Sequence, residues 1–298
     1  MRLSLYSLQL FVAVVEEGTI AAAAERENIA ASALSKRISE LERQMGTPLL
    51  LRMARGVEPT AAGQMLVRGA RGLLHQADNV AAEVQHFATG QSGHVRVAAN
   101  LSSLTQFLAQ DISSFGGVHP RIRIDLEERV SSVVTRMVLD NMADIGVFTD
   151  SDDEPQLLVY PYRQDSMVLV APRAHPLARR KAVAFIDTLE HEHVGMHRGS
   201  AANLALQRAA SQAQRTLRMR FFVTSYDAMI SMVKAGLGIG LMPRNAIALY
   251  EASELAVIEL TDAWAQRQLK LCVRPGETLS AAGRLLLEHL QASSSPMH

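Results

Sequence analysis

The sequence predicts an α/β protein that carries an all-α winged helix-turn-helix at its N-terminus, then a long linker helix, then a two-lobed α/β region. Three observations predict it. Residues 18–55 hold two short helical patterns joined by a tight turn, a heptad stripe runs from Leu66 to Phe87, and strand-like runs alternate with helical ones from residue 93 onward. The expected boundaries are 1–60 for the head, 61–90 for the linker helix and 91–298 for the α/β region.

In the head, Leu8, Phe11, Val14 and Val15 form the inner face of a first helix, not a cleavable leader. Ile20, Ala23, Ala24 and Ile29 supply a second helix, whose run Ala21–Ala24 lets backbones approach closely. The third helix is the informative one. Leu34, Ile38, Leu41 and Met45 recur at i, i+4, i+7 and i+11 on one buried stripe, while Ser32, Ser35, Lys36, Ser39 and Arg43 fall on a polar face. That face is hydroxyl-rich and cationic, which suits base edges and phosphates in a major groove. Periodicity alone fits a plain helical hairpin as well as a DNA-reading pair. After Gly46 and Pro48, the segment to Thr60 fits a two-stranded wing with Arg52 and Arg55 placed for flanking phosphates. Residues 30–55 hold five cations against two carboxylates, although the whole chain has a formal net charge of +0. The candidate DNA contacts are therefore Ser32, Ser35, Lys36, Arg37, Ser39, Arg52 and Arg55.

Thr60 caps the next helix. Leu66, Ala70, Leu73, Ala77, Val80, Val84 and Phe87 are spaced 4 and 3 alternately, a heptad seam of about 32 Å at 1.5 Å per residue. A stripe this regular wants a matching stripe, so a homodimer is expected through this helix, with a homotetramer as the full assembly and a two-fold related DNA site. Thr89–Gly93 reads as a linker. Beyond it, Val95–Ala98, Ile122–Leu126 and Ile145–Phe148 read as strands around helices at Ser102–Phe115 and Val133–Asn141, an order that predicts a parallel sheet flanked by helices. A second set follows from Ser166 to Ala235, and two such halves imply a cleft between them. Cys272 is the single cysteine, which suits a reducing cytosol and a buried small hydrophobe. No apolar run reaches the roughly 18 residues needed to span a membrane, and a cytoplasmic location is expected.

Glu17-Gly18-Thr19, Ala23-Ala24, Ala33-Leu34-Ser35 with Ile38, Leu41-Glu42, Gly46 with Pro48-Leu49, Arg52, Arg55 and Thr60-x-x-Gly63 resemble, in order and spacing, the winged helix-turn-helix of LysR-type transcriptional regulators. The head departs from the usual pattern at four places: Ala30 for an N-capping Ser or Thr, Ala31 for Gln, Glu27 for Leu and Leu50 for Phe. The missing cap should cost about 1 kcal/mol unless Ser32 replaces it. Further along, His119-Pro120, Ala143-Asp144-Ile145-Gly146, Ala174-His175-Pro176-Leu177 and Gly236-x-Gly238-Ile239-Gly240 through Pro243 resemble that family's effector domain, which looks like a periplasmic binding protein. The resemblance implies two crossings between lobes, near Tyr160–Ser166 and Trp264–Gln268, with lobe I at about 94–162 and 268–298 and lobe II at about 163–267.

Asn100, Ser102, Ser103, Ser131, Thr149, Ser200 and Tyr226 lie at strand ends and helix starts where that resemblance implies effector contacts. Hydroxyls and free N–H groups there favour an anion such as a carboxylate, although Ser, Thr and Asn also cap helices with no ligand involved. Arg129 and Arg198 offer counter-charge and Tyr226 a ring to stack. No cofactor or metal is expected. Gly236-x-Gly238-x-Gly240 has the wrong spacing for a dinucleotide fingerprint, and His191, His193 and His197 read as solvated loop histidines without metal-ligand spacing. The reading is a ligand-responsive DNA-binding regulator and not an enzyme; the alternatives are a transporter's solute-binding protein or an enzyme in the α/β cleft.

Overall fold

The computed structural model describes residues 3–53, 56–89, 93–149, 155–250, 253–276 and 279–293, with the backbone alone for residue 79 and residues 82–89. Two compact units result, residues 1–93 with 140–142, and residues 94–139 with 143–298.

The first unit contains α1 (Leu5–Glu17), α2 (Ile20–Arg26), α3 (Ala31–Met45), β1 (Leu50–Met53), β2 (Gly56–Pro59) and α4 (Ala61–Thr89). Its core joins Phe11 and Val14 of α1, Ala23 and Ala24 of α2, and Leu34, Ile38 and Leu41 of α3, as the helical spacing dictates. Gly18 ends α1 in the left-handed conformation, φ 68°, and Thr19 caps α2 by accepting the Ala22 N–H at 3.1 Å. The wing strands pair antiparallel, Leu50 opposite Pro59 and Met53 opposite Gly56. Thr60 accepts the Gly63 N–H at 3.0 Å and so caps α4.

Along α4, the outward stripe differs from the expected seam at its start. Ala70 is buried against Leu8 and Val12, and Leu66 packs on the same head, so these two positions serve the unit's own core. Leu73 and Val80, by contrast, are about half exposed, at 51% and 50%. The side chains of Val84 and Phe87, and linker residues 90–92, lie outside the described residues.

The second unit holds β3 (Gly93–Ala99), α5 (Leu101–Ser103) running through a π turn (Leu104–Leu108) into α6 (Ala109–Val118), β4 (Ile122–Glu128), α7 (Ser131–Leu139), β5 (Ile145–Thr149) and the long β6 (Leu158–Pro172). It continues with β7 (Ala182–Val183), β8 (His193–Met196), α8 (Ala201–Gln212), β9 (Met219–Val223), α9 (Tyr226–Lys234), β10 (Ile239–Pro243), α10 (Arg244–Ile247), β11 (Leu255–Leu260), β12 (Gln266–Val273) and α11 (Ala281–Ala292).

Among the described residues these strands form one sheet in the order β4-β3-β5-β12-β6-β10-β8-β9, with β11 also paired to β6. The sheet is mixed, not parallel as expected from the alternation of elements. β3 with β5 and β8 with β9 and β10 are parallel, whereas β12 runs antiparallel to β5 and β6, and β6 antiparallel to β10 and β11. The cause is the passage between lobes, since a chain that leaves one lobe and returns must traverse the sheet in opposite directions. β6 pairs with β12 from Leu158 to Ser166 and with β10 from Met167 to Val170, so one strand belongs to both lobes. Separate cores flank it. One gathers Val97, Phe115, Ile145 and Leu286, and another gathers Phe185, Leu206, Leu241 and Ile258. Cys272 is fully buried, packed with Val134 and Val138.

Candidate nucleic-acid interface and ligand cleft

On α3, Ser32, Lys36 and Ser39 are exposed opposite the buried stripe, and Ser35 is half-buried. Ala30 is the N-cap residue and makes no side-chain bond to the helix, and Gly46 closes the other end with φ 68°. Arg37 is held over the ring of Tyr6 on α1, 5.0 Å from its centroid, so its charge lies beside the first helix. Arg52 is exposed on β1, and Arg55 lies outside the described residues. A notch of about 220 Å³ separates α3 from the wing, with Ser35 and Arg52 among its lining.

Within the second unit, a cavity of about 320 Å³ opens between the lobes. It is of small-molecule size. Of the sequence candidates, Asn100, Ser102, Ser131, Thr149, Ser200 and Tyr226 line it, and Ser103 does not. Ser103 stands behind the wall, its amide and hydroxyl both donating to Asn100 Oδ1 at 2.9 and 2.7 Å. Asn100 Nδ2 donates to Ser131 Oγ at 3.0 Å and to Thr149 Oγ1 at 2.9 Å, while Ser131 Oγ accepts the Thr149 N–H at 3.2 Å. All four residues are buried. The lobe I wall is therefore a closed hydrogen-bonded set that ties three chain segments together.

The lobe II wall is built from helix starts. Ser200 caps α8 through the Asn203 N–H at 3.2 Å, and Ser225 caps α9 through the Ala228 N–H at 3.3 Å. Tyr226 opens α9 and reaches across to lobe I, where its hydroxyl lies 3.0 Å from Ser102 Oγ. Burial pushes its phenol up to about 12, so it remains a protonated hydrogen-bonding group. Its ring packs with Val170, Met196 and Met229, an arrangement that makes it core and not a free stacking surface.

Both arginines expected to supply counter-charge have partners of their own. Arg129 lines the cavity but pairs with Glu127 and donates to the Glu128 carbonyl at 3.0 Å. Arg198 lies over the Phe222 ring at 4.7 Å and is not part of the lining. The cation missed by sequence is Arg267 at the cavity floor. Its Nε donates to Asp165 Oδ1 at 2.8 Å and its Nη2 to Asp165 Oδ2, and Nη2 also lies 3.4 Å from Ser102 Oγ. Gln106 Nε2 donates to the same carboxylate at 2.7 Å. This buried pair joins β6 to β12, where the chain passes between lobes.

The three histidines separate in the fold. His197 lines the cavity, with Nδ1 accepting the Gly199 N–H at 3.3 Å, an arrangement that puts the proton of the neutral ring on Nε2. His191 stacks edge-on to His175, 4.5 Å between centroids. His193 is fully buried at the start of β8, contrary to the solvated-loop expectation, because it seats between Thr188 (3.1 Å) and the His191 carbonyl (3.0 Å) against the Phe185 ring. Burial lowers its pKa to about 4. Among the described residues no cluster of three His, Cys, Asp or Glu is placed to hold a metal ion, and no helix is long and apolar enough to cross a membrane.

The family model of the LysR substrate binding domain matches residues 88–295, and that of the bacterial regulatory helix-turn-helix protein, lysR family, matches residues 5–64. The chain belongs to the LysR family. This LysR-type regulator is 26% identical over 282 residues to the uncharacterized HTH-type transcriptional regulator YbhD of Escherichia coli, covering 95% of the chain and 89% of that protein. It is 25% identical over 301 residues to the RuBisCO operon transcriptional regulator of Allochromatium vinosum, covering 100% and 99%. Its fold matches full-length OxyR from Pseudomonas aeruginosa at a TM-score of 0.72 and 18% identity, over 98% of this chain and 95% of that one. CbnR, a LysR family transcriptional regulator also solved in complex with its target DNA, matches at 0.70 and 20% identity, over 99% and 100%. These relatives are transcriptional regulators, not enzymes, and the chain is a DNA-binding transcriptional regulator of LysR type with an effector-binding domain.

Proposed function

We propose that this regulator binds a two-fold related promoter site as a homo-oligomer and alters its DNA contacts when a small anionic molecule, such as a carboxylate, occupies the cleft. The observation that carries the effector reading is the meeting of helix starts at one cavity. Leu101 and Ser102, Ser131, Ala201 and Ala202, and Tyr226 all line it, and each group opens a helical run. Helix N-termini and hydroxyls bind negative charge without a salt bridge, which suits a cavity whose arginines are already committed. Ser102, Ser200 and Tyr226 would meet the effector, and Asn100, Ser131 and Thr149 would hold the facing wall. The regulatory domain of Synechocystis CcmR, solved in complex with 2-PG, shares this fold at a TM-score of 0.64, which supports a small-molecule occupant.

The Ser102–Tyr226 bond joins the lobes directly, so a ligand that replaces it shifts how the lobes close, by no more than its differential affinity for the two arrangements. For DNA, Ser32, Ser35, Lys36 and Ser39 would read base edges, Arg52 and Arg55 would hold phosphates, and Arg37 would flank them from its seat on Tyr6. The exposed Leu73 and Val80 stripe of α4 would form the homodimer, and two dimers the homotetramer, in the cytoplasm.

The test is affinity for a duplex selected from a random library by the full chain, measured against an unrelated duplex over a salt series. Affinity should fall steeply with salt. Lys36→Ala should weaken the selected duplex alone, and Arg52→Ala should weaken both and flatten the salt slope by about one. Unchanged affinity in the Lys36 variant would remove that residue from the interface. A thermal-shift screen of aliphatic and aromatic acids should raise the melting temperature, and acids without effect where neutral analogues stabilise would overturn the anionic reading.

A further inference from the structure

We infer that Glu42 is a positioning residue for DNA binding, one that sets the wing against the reading helix; the inference rests on the reading that Arg52 meets DNA. Glu42 lies in the penultimate turn of α3, and its Oε1 accepts two backbone amides, Leu49 N–H at 2.8 Å and Leu50 N–H at 3.1 Å. Leu50 begins β1, and Arg52 follows two residues on, on the same side of the strand. A carboxylate that accepts two N–H groups makes charge-assisted bonds, stronger than neutral ones, at the point where chain direction changes from turn to wing.

Charge supplies the second argument. Glu42 lines the notch between α3 and the wing together with Ser35 and Arg52, so it faces the side on which a phosphate backbone would approach. A carboxylate there repels DNA, and electrostatics alone favour a neutral or cationic residue. Its two amide bonds give the reason for it. Leu50 and Val57 also pack on the core that α3 shares, but among the described residues the other backbone hydrogen bonds of the wing lead elsewhere. Val57 N–H donates to the Gly18 carbonyl at 2.8 Å and Thr60 N–H to the Leu49 carbonyl at 3.0 Å, tying the wing to the α1–α2 turn and to its own base. Glu42 ties the near strand to the helix that reads sequence, and so fixes the distance between base contacts and the Arg52 phosphate contact.

A double-mutant cycle on the full chain tests this, with binding to the selected duplex and its salt slope as readouts. Arg52→Ala should weaken binding roughly tenfold and lower the slope by about one. Glu42→Ala should weaken binding about fivefold with the same loss of slope, and should add less than twofold in the Arg52→Ala background, because a displaced wing no longer has a contact to lose. Loss of equal size in both backgrounds would mean that Glu42 only supports the head, and would overturn the inference, as would a silent Glu42→Ala. A silent Arg52→Ala would refute the wing reading instead. Should Glu42→Ala not fold, by far-ultraviolet circular dichroism, Glu42→Gln carries the same cycle. Its carbonyl still accepts both amides without charge, so a two- to threefold loss that vanishes beside Arg52→Ala is expected.

Discussion

Replacing Asp165 with Asn isolates the charge at the cavity floor. In the native protein the Asp165 side chain is fully buried and that of Arg267 is 5% exposed, so the substitution removes the charge of its carboxylate partner from a guanidinium that has almost no solvent. Breaking a buried pair from one side costs about 3–5 kcal/mol; Asn keeps an acceptor for Arg267 Nε, which places the variant near about 3 kcal/mol. The unit that contains it has roughly 200 residues, for which each kcal/mol moves the melting point by about 2–4 °C, so a fall of about 6–12 °C is expected. Trp264 is the one tryptophan of the chain and packs edge-on to Phe185 in lobe II, so its fluorescence follows the unfolding of this unit during a thermal or urea ramp. Acetate or phosphate should recover part of the loss in the variant and little in the native protein, whose Arg267 is already neutralised. A variant within about 1 kcal/mol of the native protein and indifferent to anions would refute the assignment of Arg267 and Asp165 as a desolvated, mutually dependent pair.

Two further outcomes are expected. His193 has a folded pKa of about 4 against 6.5 for an ordinary histidine, so on acidification the unfolded chain takes up a proton first. Its contribution is complete above about pH 6.5, declines as pH falls, and has lost roughly 3 kcal/mol by pH 4; burial lowers His175 in the same direction. Urea melts of His193→Gln across that range should show a shallower dependence, and an identical one would exclude His193 as a source. For assembly, Leu73→Glu with Val80→Glu places charge on the exposed stripe of α4 and should leave monomers in light scattering at micromolar protein, since each apolar side chain contributes about 1.5–3 kcal/mol when buried. An unchanged molar mass would move the interface elsewhere.

The head was legible because its determinants are local: the α3 stripe, the Thr60 cap and the wing pattern each occupy a few consecutive residues. The cleft was half legible for the same reason. Asn100, Ser131, Ser200 and Tyr226 announce themselves as polar residues at helix starts, whereas Asp165 and Arg267 are 102 residues apart and meet only because β6 and β12 pair. Nothing local marks Arg267, in a segment that alternates polar and apolar residues as any half-buried strand does. His193 was misread because Glu190, His191 and Glu192 make its neighbourhood look like a polar loop, while strand pairing carries it inside. Local sequence likewise could not show that Leu66 and Ala70 turn inward on α1 while Leu73 and Val80 face out, since one helical period describes both.

The Asn100, Ser103, Ser131 and Thr149 set has a consequence for anyone wishing to re-aim this regulator at a new inducer. A substitution there that removes a hydrogen-bonding atom strands at least one neighbour's donor or acceptor and loosens three chain segments at once, so that half of the receptor behaves as a fixed mould. The opposite half, from Met196 to Ala202 and around Thr224, is held among the described residues by bonds within its own segment, Ser200 to the Asn203 N–H and His197 to the Gly199 N–H. Chemical novelty should therefore enter from that side, and a library confined to it would retain folded members while it explores ligand shape.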